Sequence, residues 1–106
     1  MKHDRIARFE PGDVVDHLLF GYRGVVCDVD PTCRQSDEWY AKVARSRPPK
    51  DRPWYLVLPD GAGHTTYVAE RNLERAADPT QVRHPLIDTV FRSFDGAKYH
   101  LRQKVH

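Results

Sequence analysis

The sequence predicts a mainly β fold: a small SH3-like β-barrel carrying a short inserted helix and a C-terminal helix. Three observations lead there. Runs of β-branched and apolar residues come in pairs joined by turn chemistry; no long helical crossover of the kind parallel strands require separates those runs; and 106 residues leave room for one domain only.

After the break at Pro11-Gly12, Asp13 to Leu19 has the content of a first strand. Gly21-Tyr22-Arg23-Gly24 supplies glycines for a turn, and Val25 to Val29 follows, so the two runs read as a hairpin ended by Asp30-Pro31. Strict alternation in this second run places Val25, Cys27 and Val29 on one face and Asp28 and Asp30 on the other. From Ser36 the period of two is lost. Ser36 reads as an N-cap and Asp37-Glu38 as an acidic first turn, which predicts a helix near 37–45, stopped by Pro48-Pro49 and Pro53. Trp54 to Leu58 and Thr65 to Ala69, joined by Pro59-Asp60-Gly61-Ala62-Gly63, form the clearest hairpin. Glu70 to Leu73 then leaves the sheet. Leu86, Ile87, Val90, Phe91 and Phe94 fall at helical spacing, with Pro85 in the first turn and Gly96 as a C-cap, so a final helix is expected there.

A net charge of +2 and a pI of 8.6 are mildly basic. They permit nucleic-acid binding without demanding it. The distribution is more telling: Lys42, Arg45, Arg47, Lys50 and Arg52 meet only Asp51 in their stretch, and Lys98, Arg102 and Lys104 gather near the C-terminus. Trp39, Tyr40, Trp54 and Tyr55 flank the first basic stretch, where rings can stack bases while cations neutralise phosphates. Arg45, Arg47, Lys50, Arg52, Trp54 and Tyr55 are therefore the candidate DNA-binding residues, although alternation turns one of the last two toward the core.

Catalysis has weak support. Asp28, Asp30 and His64 stand without any recognisable hydrolase or metal-site motif, the six histidines lack ligand spacing, and the glycines match no phosphate-binding loop. No metal, cofactor or enzymatic activity is expected. Cys27 and Cys33 are too far apart for a CxxC pair and read as reduced thiols. With no apolar run of membrane-spanning length, the expected setting is the cytoplasm, with no membrane partner.

Several ordered blocks resemble one family. Phe9-Glu10-Pro11-Gly12-Asp13-Val14-Val15-Asp16-His17 and Phe20-Gly21-Tyr22-Arg23-Gly24-Val25-Val26-Cys27-Asp28-Val29-Asp30-Pro31 are similar to the opening of HspQ/YccV-like proteins. Pro53-Trp54-Tyr55-Leu56-Val57-Leu58, Thr66-Tyr67-Val68-Ala69-Glu70-Arg71-Asn72-Leu73 and His84-Pro85 continue the likeness. The resemblance implies a flexible N-terminus over 1–8, a barrel domain with its C-terminal helix over 9–94, and a basic tail over 95–106. It implies a non-enzymatic regulator with two possible partners: hemimethylated DNA, or alternatively the Lon protease and substrates such as DnaA in a heat-shock role. At motif positions it adds His17, Tyr22, Arg23 and Tyr67, beside Trp54 and Tyr55, as binding or structural candidates. Self-association into a homo-oligomer is left open.

Overall fold

The computed structural model describes residues 6–44 and 46–102. The main sheet is antiparallel, with strands β1 (Val14–His17), β2 (Arg23–Asp30), β3 (Trp54–Pro59), β4 (Thr66–Ala69) and β5 (Leu73–Arg75) in the order β4-β3-β2-β1-β5. Helix α1 (Asp37–Val43) lies in the β2–β3 connection, and a 3-10 turn (Glu70–Asn72) joins β4 to β5. A short helix α2 (Ile87–Val90) leads into a second, two-stranded sheet of β6 (Phe91–Phe94) and β7 (Tyr99–Leu101). No helix among the described residues is long and apolar enough to cross a membrane.

The paired valines explain how one thin sheet carries two cores. Consecutive residues of a strand point to opposite faces, and both faces are covered here. Val15, Val26, Tyr55, Val57, Val68 and Leu73 gather with Phe9 on one side. Val14, Val25 and Leu58 meet Val82, Phe91 and Tyr99 on the other, beneath the β6–β7 hairpin. Gly24 sits between them because the β2–β3 crossing leaves no space: a Cβ there would stand 2.7 Å from Val57 Cγ1 and 2.8 Å from the Leu58 carbonyl oxygen.

Helix α1 forms as its residues predict, with Ser36 Oγ accepting from the Trp39 amide at 3.1 Å. Four expectations are corrected. The first strand ends at His17, and Leu18 to Phe20 form a turn. Strict alternation fails in β2, where a register shift between Val26 and Asp28 sends Cys27 to the Val14 core and Val29 to the Phe9 core. The helix expected through Phe94 stops at Val90: Phe91 and Phe94 instead pair with Leu101 and Tyr99 and pack on the Tyr99 ring at 5.1 and 4.6 Å. Gly96 is accordingly the hairpin turn, at φ 99°, with Asp95 Oδ1 accepting from the Ala97 and Lys98 amides. Finally, β4 and β5 are the outer strands and do not pair with each other, so hydrogen bonding does not close the sheet into the expected barrel.

Candidate functional site

The residues singled out from sequence fall into three groups. Trp54 and Tyr55 are both buried, at 2% and 0% exposure, so neither is available to stack on a base. They occupy opposite faces of β3: Tyr55 stands in the Phe9 core, with its ring 5.5 Å from Phe9, and Trp54 stands in a third cluster with Ala44, Ala69, Trp39 and Tyr67. The Tyr55 hydroxyl donates to Glu70 Oε2 and accepts from the Phe9 amide, and burial with that carboxylate contact pushes its pKa upward. The Trp54 indole donates to the Pro49 carbonyl at 3.0 Å.

The motif residues all make contacts within the fold. Arg23 forks onto the carbonyls of Asp78, Thr80 and Gln81, and meets Asp60 at 3.4 Å, which pins the 78–82 segment against β2. His17 is buried and neutral-favouring: its Nδ1 accepts from the Leu19 and Phe20 amides, its ring lies 4.7 Å from Phe20 and 4.9 Å from Tyr22, and burial lowers its pKa. Tyr67 donates to Asp30 Oδ2 at 2.6 Å and accepts from the Arg34 amide, with burial raising its pKa. Tyr22 bonds Thr66 Oγ1 at 2.8 Å.

The cations differ sharply from one another. Lys50 is held by Asp37 and lies 5.2 Å over the Tyr40 ring. Arg52 is half-buried, and Arg45 lies outside the described residues. Arg47 is exposed and stands in the left-handed region at φ 53°. Arg34 and Lys42, in the same β2–β3 connection, are exposed too, and none of these three side chains makes an ion pair or hydrogen bond among the described residues. Nearer the C-terminus, Lys98 is occupied by Glu10 and Asp13, and Arg102 donates to the Asp88 carbonyl. Lys104 lies outside the described residues.

Between the Leu18–Tyr22 turn, α1 and β4 runs a groove of about 790 Å³. Leu19, Phe20, Trp39, Val43, Leu56 and Tyr67 supply its apolar walls, and His17, Gln35, Ser46 and Asn72 its polar margin. Sequence reading missed the groove. Leu18 and Leu19, exposed at 52% and 56%, read as the end of the first strand, and only the turn capped by His17 reveals them, with Phe20 at 72%, as a rim.

Asp30 is engaged by Tyr67 and Asp28 is exposed; the described residues bring no three metal-ligating side chains together. Cys27 and Cys33 are free thiols, and burial, with Asp28 adding, raises Cys27 to about 11.

Residues 7–98 match the model of the YccV-like family, described as hemimethylated DNA-binding protein YccV like. The chain belongs to the YccV-like family. Curated relatives include F-box only protein 21 of Mus musculus, 33% identical over 90 residues that make up 83% of this chain and 14% of the relative. The Homo sapiens and Pongo abelii proteins of the same name are 32% identical over the same coverage. The chain thus spans about 14% of the length of these relatives. The YccV-like match begins just before Phe9 and ends at Lys98, so it takes in the whole five-stranded sheet together with α2 and β6.

Proposed function

We propose that this chain is a non-enzymatic regulatory domain of the cytoplasm that binds duplex DNA, hemimethylated DNA by family, through the β2–β3 connection. The observation that carries this reading is Arg47. It is held in a backbone conformation that costs a non-glycine residue roughly 1 kcal/mol, yet its side chain has no partner in the fold among the described residues. The Arg47 amide closes the turn after α1 on the Ala44 carbonyl at 3.0 Å, and this conformation leaves the guanidinium to an external ligand. Arg34 and Lys42, unpaired in the same connection, add two further charges for phosphate. The family description supports DNA as the ligand. The strand order, with a 3-10 turn between β4 and β5, supports SH3-like kinship. Trp54 and Tyr55 drop out of this interface as core residues.

Binding to hemimethylated, fully methylated and unmethylated duplexes at several salt concentrations tests the proposal. A preference for the hemimethylated duplex is expected. Substituting alanine at Arg34, Lys42 and Arg47 together should flatten the log–log salt slope by about 2.7, at about 0.9 for each phosphate that is no longer neutralised. Equal, very weak binding to all three duplexes would sink it.

A second reading, that the chain delivers polypeptides to a Lon-type protease, is favoured by the groove, whose largely apolar lining carries no Lys or Arg for a phosphate. Degradation of DnaA by Lon with and without the chain tests it; an unchanged rate counts against it.

A further inference from the structure

The groove and the cations of the β2–β3 connection are neighbours. Arg34 precedes Gln35, Lys42 precedes Val43 and Arg47 follows Ser46, and each of those three partners lines the groove. Three cations without a side-chain partner among the described residues thus stand one position along the chain from residues that line the apolar floor. β4, an outer strand of the sheet, lines the groove with Thr66 to Ala69. Residues 65–68 make no backbone hydrogen bond except to β3 among the described residues, so one edge of β4 presents free amides and carbonyls beside the groove.

We propose that this groove takes an extended polypeptide segment of apolar residues flanked by acidic ones, adding as a strand to β4. The backbone edge supplies hydrogen bonds that do not depend on sequence, the apolar walls take every second side chain, and Arg34, Lys42 and Arg47 select carboxylates at the ends. A nucleic-acid strand fits this floor poorly. It holds no charge, and its rings are spent on one another: Trp54 stacks on Tyr67 at 5.3 Å, and Trp39 sets its edge against both at 5.8 Å. A second copy of the chain fits poorly too, because a two-fold contact would bring the same three cations face to face. The inference stands whether or not a protease follows, and it shares only the cations with the DNA reading.

The test is fluorescence anisotropy of the whole chain with a short labelled peptide of alternating leucine and threonine bearing aspartates at both ends. Saturable binding is expected. Replacing the aspartates with lysines should weaken it roughly tenfold, the scale of three exposed charge pairs. N-methylation of alternate peptide amides should abolish it. Phe20→Ser should weaken it several-fold while leaving duplex DNA affinity unchanged; if that variant does not fold, the peptide series carries the test alone. Absence of binding, equal binding of the lysine-flanked or N-methylated peptides, or a dimer in sedimentation that Phe20→Ser dissolves would each overturn the proposal, the last by naming a second copy as the occupant. A failed peptide series with an intact salt-dependent DNA affinity separates this inference from the DNA reading.

Discussion

Replacing Arg23 with methionine separates a structural clamp from a binding residue. The wild-type guanidinium makes two well-formed bonds, to the Thr80 carbonyl at 2.5 Å and the Gln81 carbonyl at 3.0 Å, and two longer contacts, to the Asp78 carbonyl at 3.2 Å and Asp60 at 3.4 Å. Methionine keeps most of the apolar stem and removes the fork. A charge-assisted hydrogen bond is worth about 1.5–3 kcal/mol when both partners are desolvated. Residues 78, 80 and 81 are exposed and their carbonyls can rehydrate, so about 1 kcal/mol for each good bond is the appropriate scale. The sum, about 2 kcal/mol, corresponds to a fall in Tm of roughly 8 °C for a domain of this size. Urea unfolding followed by tryptophan fluorescence measures it, and amide exchange should quicken at Val82 and Arg83, whose amides bond Tyr99 Oη and Asp60 Oδ1. DNA affinity, measured where the variant is folded, should stay within about twofold, because the clamp touches no proposed phosphate-binding side chain. An unchanged unfolding midpoint with weakened DNA binding would refute this assignment.

Further expectations follow from single contacts. Gly12→Ala should cost about 3 kcal/mol or more, since a Cβ would stand 2.1 Å from the Tyr99 carbonyl oxygen on a backbone at φ 103°; thermal unfolding reads this directly. Tyr55→Phe strands the Phe9 amide and removes one donor from Glu70, for a loss of about 2 kcal/mol by denaturant titration. His17 has a folded pKa below its ordinary 6.5, so the folded state binds fewer protons; its contribution is fully present above pH 6.5 and fades as pH falls through the lowered value. Because its Nδ1 caps the Leu19–Phe20 turn, peptide affinity for the groove should fall over the same window in the wild type and not in His17→Asn. Cys27, raised to about 11 by burial, should resist iodoacetamide at pH 7 until the chain unfolds, as mass spectrometry would report.

How far the fold was legible depended on whether local signals were decisive. The 54–69 hairpin and the Ser36-capped helix were visible because turn residues and a capping oxygen act over a few positions. β5 was invisible: Leu73, Glu74 and Arg75 have no strand-forming pattern and owe their conformation to pairing with His17, Asp16 and Val15 far earlier in the chain. The stretch from Leu86 to Phe94 misled because apolar residues at helical spacing also suit a strand with a register shift, and the Tyr99 ring, which decides between them, lies beyond it. For the proposed site, charge counting drew attention to the β2–β3 connection but could not tell Lys50, consumed by Asp37, from Arg47, whose side chain has no partner among the described residues. The groove needed three separate elements brought together, and no single window of sequence contains them.

The crossing at Gly12 has one more consequence. Its carbonyl accepts from the Tyr99 amide at 3.0 Å, and Glu10 is bridged to Lys98, so the segment before β1 and the β6–β7 hairpin hold each other in place and should loosen together.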